Sequence, residues 1–420
     1  MTIDEFSRPE EYISPLDKHL GSVIRQWAEE DVMPYRRRFD EDWKEHKIIE
    51  PAFKKLMADL GLQMCLFPEE VGGWGLGHSN YTATISYRMF EEIGRADTAM
   101  AVAFGVTFWP LTTITVEPHV NIRLCKEFAP MFNTDKPCFS ALAMTEPQGG
   151  ADIENIDLLK GRTIQTTAVL DGDEWVINGH KLWPTNTGGV ADLLGVACTT
   201  RSGSDDPNDF ALIFVPSTTK GVTQGGPYEK AGMAADKNSD IWFEDVRVPG
   251  WYRAAGPGDD ARCFEEIISW GQMGSSAFLT GAMMNLYEIL YKFCSEKTYN
   301  KKPLKENDAI AALLGRIAGD LDICRVIGYQ IARMIDRPDI YGGRGSRQVI
   351  SKIRNFKEFI ADRAVEDFGK AMDILGFYGA DRAWDIEKHW RDIKIIQLWM
   401  GGKQLCQMEA ARYFFDCKSL

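Results

Sequence analysis

Along 420 residues the spacing of apolar side chains changes period twice, and this limits the available folds more than any single motif. From about residue 15 to 135 the apolar positions fall three and four apart, as in "VIRQWAEEDVMPYRRRF" and "PAFKKLMADLGLQMCLF". That is the spacing of one buried helical face. From about 138 to 250, short runs rich in Thr, Val, Ile and Trp are split by turn residues, which reads as strands. Asp171-Gly172-Asp173 and Asn178-Gly179 both predict hairpin turns there. From about 260 the helical spacing returns. Ile310, Leu313, Leu314, Ile317, Leu321, Cys324, Ile331 and Ile335 trace one stripe; Val349, Ile353, Phe356, Ile360, Ala364, Phe368, Ala371 and Leu375 trace another. Long helices joined by a short link, Pro338 to Gly345, predict an antiparallel bundle. The expected architecture is α+β: an N-terminal α-helical domain (1–137), a middle antiparallel β-domain (138–255) and a C-terminal four-helix bundle (256–420).

Composition narrows the function. A net charge of -13 argues against a nucleic-acid partner, because the average surface repels phosphate. No run reads as a membrane-spanning helix, and the acidic start "MTIDEFSRPEEY" lacks the basic and apolar regions of a signal peptide. Nine cysteines, scattered singly, read as buried thiols of a cytoplasmic protein. Six histidines, none paired at a short helical offset, give no metal site.

Two stretches carry chemistry. In "ALAMTEPQGGADI", 141 to 153, a Thr and a carboxylate precede Pro147, and Gly149-Gly150 frees the backbone to present N–H groups. Such a turn suits the edge of a polar heterocycle or an anionic oxygen, although an ordinary Pro-Gly turn reads the same way. In "VINGHKLWPTNTGGVADLLGVA", Trp183 and Thr185 are expected on one side of a strand. There they offer a stacking face beside a hydroxyl, or simply a core Trp.

Taken together, "PEEVGGWGL", "MTEPQGGAD", "INGHKLWPTN", "EKAGMAADKNSDIWFEDVRVP" and "DILGFYGADRAWDIEKHWRDIKI" resemble the acyl-CoA dehydrogenase family of flavoproteins over nearly the whole chain. The resemblance implies the three-part fold above, FAD between the domains and across a subunit interface, and a homotetramer or heterotetramer. It also implies an acyl-CoA substrate and an electron-transfer flavoprotein or similar acceptor. It assigns Met144 and Thr145 to the flavin's pyrimidine side, Gly150 and Ala151 to its phosphate region, and Trp183 and Thr185 to the isoalloxazine. At the ADP end the family's residues are replaced. Lys297, Asn300 and Lys301 stand for an arginine, a phenylalanine and a glycine; Asp373 stands for a glutamine and Phe377 for a glycine, while Gln404 is kept. Lys still pairs with a pyrophosphate, as a point charge rather than a planar fork.

The departure with most consequence lies in "RDIKIIQLWMGGKQLCQ". Many members carry Tyr-Glu-Gly-Thr here, and the Glu removes the α-proton while hydride leaves the β-carbon. In this chain Trp399, Met400, Gly401 and Gly402 take those places. Met cannot accept a proton. The family's other base position, on the first helix of the bundle, falls at Gly271, with Glu265 and Glu266 more than a turn away and Gln272 replacing an arginine.

Three readings follow. In one, a compact acyl-CoA, cyclic ones included, is oxidised with Asp97 as provisional proton acceptor; Asp97 also suits a helix N-cap. Glu91 and Glu92 read as solvated helix charges. In the second, the chemistry needs no α-proton removal, such as elimination of a leaving group from C3 or C4 or a reaction with oxygen. In the third, the chain is a non-catalytic or flavin-sharing subunit of a heteromeric enzyme. Trp399 and Phe377, larger than the family's residues, are expected to shorten the acyl cavity, with Trp399, Met400 and Gly401 touching substrate.

Overall fold

The computed structural model describes residues 3–150, 153–154 and 164–418. Ala151, expected at the flavin phosphate region, lies outside the described residues. The N-terminal part is helical: α1 (Pro15–Trp27), α2 (Thr82–Ala96), α3 (Thr98–Thr107), α4 (Trp109–Thr115) and α5 (Ile122–Phe132). Ser14 caps α1 in a reciprocal capping box with Asp17. The stretch Thr98–Thr115 is long and apolar enough to cross a membrane, contrary to the sequence reading. It is 94% buried inside the fold, and it is broken into α3 and α4 at Phe108, so it serves as core.

The middle part is one seven-stranded sheet: β1 (Phe139–Ala143), β2 (Thr167–Asp171), β3 (Glu174–Lys181), β4 (Ala191–Thr199), β5 (Phe210–Pro216), β6 (Val222–Gln224) and β7 (Ile241–Pro249). The order is β1-β4-β2-β3-β7-β6, with β5 paired to β4. The expected antiparallel sheet is in fact mixed, since β1 and β2 each run parallel to β4. Parallel neighbours require a long crossover, and both of these pairs are far apart in sequence. The hairpin at Gly172-Asp173 forms, with Asp171 opposite Glu174. Asn178-Gly179 makes no turn. It lies inside β3 at an irregularity opposite β7, where a Cβ on Gly179 would stand 2.4 Å from the Thr166 hydroxyl.

The C-terminal part comprises α6 (Asp259–Glu296), α7 (Asp308–Asp336), α8 (Arg347–Leu375), α9 (Ile386–Leu398) and α10 (Gly402–Phe415). Both stripes read from the sequence face inward for most of their length: Ile317, Leu321, Cys324, Ile331 and Ile335 on α7, and Val349, Ile353, Ile360, Ala364, Phe368, Ala371 and Leu375 on α8, are buried. The start of the first stripe is looser, with Leu313 37% exposed. Helix α6 is the central post. It packs on α2, α3, α4, α7 and α8, so it touches both helical parts and carries Gly271 to where they meet.

Glu91 and Glu92 are not solvated. Both are fully buried on α2. Glu91 is gripped by Arg325 at 2.7 and 2.9 Å and by Arg88 at 3.2 Å, while Glu92 meets Arg25 at 2.6 Å and Arg88 at 2.8 Å. Burial opposes charge on Glu91, yet the arginines hold its carboxyl below the usual range. Eight of the cysteines are buried, and Cys417 is exposed.

Candidate active site

Helix α9 ends at Leu398, and the chain then turns through Trp399 and three residues with positive φ: Met400 (51°), Gly401 (80°) and Gly402 (57°). A Cβ on Gly401 would lie 2.3 Å from the Leu405 side chain, so glycine there is required by space as well as by conformation. Met400 adopts the left-handed region without that freedom and is buried at 7% exposure.

The Met400 side chain lies directly against α6. A Cβ built on Gly271 would be 2.6 Å from its Cε and 2.9 Å from its Sδ, and 3.0 Å from the Trp109 ring. The surrounding shell is aromatic and hydroxylic. Trp399 and Trp109 lie with ring centres 6.1 Å apart, the Trp399 Nε1–H donates to the Ser275 hydroxyl at 3.2 Å, and that hydroxyl donates to the Gly271 carbonyl at 2.8 Å. Beside them is a cavity of about 20 Å³ lined by Phe90, Gly105, Phe108, Trp109, Trp270 and Met273, almost wholly apolar. Neither the Met400 nor the Gly401 N–H has an acceptor among the described residues. The loop therefore offers two adjacent donors beside an apolar wall and no carboxylate. Glu265 faces a separate polar cleft with Arg347 and Arg354, and Glu266 pairs with His119 at 3.1 Å.

Asp97 has other work. Its Oδ1 accepts the Met100 N–H at 2.9 Å as the N-cap of α3, and its Oδ2 lies 2.7 Å from the Lys388 ammonium. Lys388 also meets Asp392 at 2.7 Å, and Asp392 accepts the Met233 N–H at 2.6 Å. Burial would discharge Lys388, but Asp392 and Asp97 hold its pKa above the usual lysine range. Asp97 thus ties α3 to α9, and among the described residues no hydrogen bond or ion pair joins it to the 399–402 loop.

The flavin-facing residues converge at the exit of β3. Trp183 and Thr185 do not sit on a strand, since β3 ends at Lys181. Trp183 (φ 41°) presents its indole at 55% exposure beside Tyr228, with ring centres 5.3 Å apart. Thr185 is buried, bonded to Asp236 at 3.4 Å and to Asn238 at 3.3 Å. Thr145, at the end of β1, receives the Leu182 N–H on its carbonyl, and its hydroxyl has no partner among the described residues. Gly150 packs on the Thr145 methyl, where a Cβ would be 3.3 Å away.

Two residues that the sequence reading passed over hold this region. Lys181, fully buried, donates to the Met144 carbonyl at 2.9 Å and to Glu146 at 2.7 Å, fixing the Thr145–Pro147 turn from behind. Asn186 donates to the carbonyls of Ala103 and Ser140 at 2.8 and 3.1 Å, pinning the strand exit to α3. A lysine facing inward from a strand next to a turn glutamate was the available signal.

The ADP-side residues lie apart on the surface. Lys297 stands over the Tyr378 ring at 4.5 Å and has no carboxylate partner among the described residues; Asp373 and Gln404 are exposed. Phe377 is 86% exposed at the turn after α8, so it does not narrow the acyl cavity as expected. An open indole beside a free hydroxyl suits a flavin ring, and a lysine without a carboxylate partner among the described residues suits a pyrophosphate.

The fold and this site define a class: a three-domain flavoprotein oxidoreductase acting on acyl thioesters. The profiles "Acyl-CoA dehydrogenase, N-terminal domain", "middle domain" and "C-terminal domain" match residues 15–115, 141–246 and 261–412. The chain belongs to the acyl-CoA dehydrogenase family, whose members act on acyl-CoA and use FAD. It is 26% identical to "Probable acyl-CoA dehydrogenase YngJ" of Bacillus subtilis over 94% of this chain and 96% of that protein. It is also 26% identical to "Cyclohexane-1-carbonyl-CoA dehydrogenase" of Syntrophus aciditrophicus, over the same shares of the two chains. Among solved structures, butyryl-CoA dehydrogenase from Megasphaera elsdenii superposes with a TM-score of 0.83 at 20% identity, covering 96% of this chain and 99% of that one.

Proposed function

We propose that the protein is an FAD-dependent dehydrogenase of a compact acyl-CoA, ring-bearing ones included. In this reading the acyl group enters the cavity between Phe108, Trp109, Trp270 and Met273, and the thioester oxygen takes the Met400 and Gly401 N–H groups. FAD, when bound, supplies the two-electron acceptor; Met144, Thr145, Gly150, Trp183 and Thr185 would hold its ring system, with Lys297, Asp373, Phe377 and Gln404 toward its ADP end. Electrons then pass to an electron-transfer flavoprotein or a similar acceptor.

The observation that carries this reading is the packing of Met400 on Gly271, which puts a thioether where the family resemblance places an acid, next to the Trp109 ring that lines the cavity. The lining is apolar enough for an acyl group, but about 20 Å³ is room for roughly one water, so Phe108, Trp109, Trp270 or Met273 must move to admit it, which disfavours a long chain. General-base catalysis contributes roughly two to four orders of magnitude, which a site without a carboxylate forgoes. The site therefore suits a thioester whose reacting C–H is acidified by conjugation, with its proton acceptor outside the 399–402 loop. The relative named for cyclohexane-1-carbonyl-CoA agrees with a cyclic acyl group.

The paired state of Asp97 and the missing loop acid also favour a second reading, a family chain that performs elimination or shares its flavin site with a partner subunit. Anaerobic titration of the purified chain decides. Flavin bleaching by cyclohexane-1-carbonyl-CoA or cyclohex-1-ene-1-carbonyl-CoA, and much less by octanoyl-CoA, is the expected result. A colourless protein, or a yellow one that no acyl-CoA reduces, overturns the dehydrogenase reading in favour of the second.

A further inference from the structure

Lys357 on α8 is 1% exposed and has no carboxylate within ion-pair distance among the described residues. Its ammonium donates instead to two backbone carbonyls, of Ile396 at 3.1 Å and of Trp399 at 3.4 Å. Burial lowers its pKa, with Cys406 and Glu154 among the groups that oppose this. A cation buried at the carbonyl end of α9 is favoured by the helix dipole. The second of its carbonyls has a more particular meaning. Trp399 C=O and Met400 N–H belong to one peptide group. Because that group is planar and trans, fixing the oxygen fixes the direction of the N–H on its opposite side. The same oxygen also accepts the Gly402 N–H at 3.0 Å.

The next peptide is held in the same way. Gln272, fully buried on α6, donates its side-chain amide to the Met400 carbonyl at 3.4 Å, and that peptide carries the Gly401 N–H. Two consecutive peptides are thus gripped at their oxygens from behind, one by α8 and one by α6. Their N–H groups have no acceptor among the described residues, and Met400 and Gly401 both have positive φ. Donors held in this way need no reorganisation when they meet a developing negative oxygen, which is the basis of oxyanion stabilisation. Hydrogen bonds in a chain also polarise one another, so the lysine donor on the Trp399 oxygen strengthens the Met400 N–H as a donor.

We infer that Lys357 is a positioning residue for the reaction: it orients and polarises the 399–400 peptide, so that the Met400 N–H binds the substrate's thioester oxygen. Gln272 does the same, without charge, for Gly401. The inference rests on the thioester-binding role proposed above for this loop.

The test is isotope-edited infrared spectroscopy of the holoenzyme with bound cyclohex-1-ene-1-carbonyl-CoA carrying carbon-13 at the carbonyl. In the wild type the carbonyl stretch moves to lower frequency on binding. Lys357→Met is expected to lose more than half of that shift and to lower kcat at least about tenfold, with KM changed less than about threefold. Lys357→Gln, which keeps a donor without the charge, retains an intermediate shift and serves alone if the Met variant does not fold. An unchanged shift in a folded, FAD-replete Lys357→Met or Lys357→Gln protein overturns the role of Lys357. Absence of any shift in the wild type with the ligand bound instead removes the thioester-binding role of the loop, and the inference with it.

Discussion

The Met400 methyl occupies the space that a side chain at Gly271 would need: a Cβ there would sit 2.6 Å from Met400 Cε. The two positions at which the family resemblance places a catalytic acid are therefore one location in space, reached from α9 or from α6. They exclude each other while Met400 stays in place. Gly271→Glu alone is expected to destabilise the fold by about 1–3 kcal/mol, the cost of overpacking a filled core site. Adding Met400→Ala should recover most of that loss. Urea unfolding of the two single variants and the double variant measures the coupling.

Met400→Glu should place a carboxylate beside the loop donors. If the site is otherwise complete, anaerobic bleaching by butyryl-CoA is expected to speed up by roughly two orders of magnitude, at the lower end of what a positioned general base contributes. Stopped-flow absorbance at the flavin maximum gives the rate directly. No acceleration in a folded, flavin-loaded variant would mean that the thioester does not bind at this loop.

Asp97→Asn keeps a good N-cap residue but removes the charge facing Lys388. Lys388 still has Asp392, so the expected loss of stability is modest, about 1–2 kcal/mol. Bleaching by a cyclic acyl-CoA is expected to stay within about threefold of wild type. Abolished bleaching with FAD still bound would return Asp97 to the role of proton acceptor.

The sequence carried the three-part organisation because hydrophobic period is a local property, readable wherever one face of an element is buried. It also led to Met400, through the family resemblance, which implies an acid where this chain has a thioether. What it missed depended on partners distant in the chain. Asn178-Gly179 has turn chemistry, but β7 pairs across it and the glycine is spent on close approach to Thr166. Glu91 and Glu92 look like surface helix charges until α7 brings Arg325 and α1 brings Arg25 against them. Lys357 shows no signal at all in its own helix, because its partners are backbone oxygens of α9 and of the loop after it.

The Glu91–Arg325 pair makes that lesson measurable. Arg325 grips Glu91 with two nitrogens, and both residues are almost fully buried. Glu91→Gln leaves a guanidinium buried with a neutral partner, and breaking such a pair from one side costs about 3–5 kcal/mol. Chemical unfolding at neutral pH should show a fall of that order. A change below 1 kcal/mol would mean that Arg88 or water replaces the lost charge.

Asp367 on α8 predicts the opposite sign. Its carboxylate is buried, neither oxygen has a hydrogen-bond partner among the described residues, and burial, with Asp320 across on α7, raises its pKa to about 7. Lys370, at 3.9 Å, offsets this only in part. The folded state therefore holds this proton more tightly than the unfolded chain, whose Asp ionises near 3.8. From that pH upward the unfolded state gains by releasing the proton, so stability falls until the folded group also ionises near 7, and the penalty is constant above. Asp367→Asn removes the titration and keeps the shape. It is expected to raise Tm by about 2–4 °C at pH 8 and to change it little at pH 4. Thermal unfolding of both proteins across pH 4 to 8 checks this, and a difference independent of pH would show that Asp367 is already ionised and screened in the folded bundle.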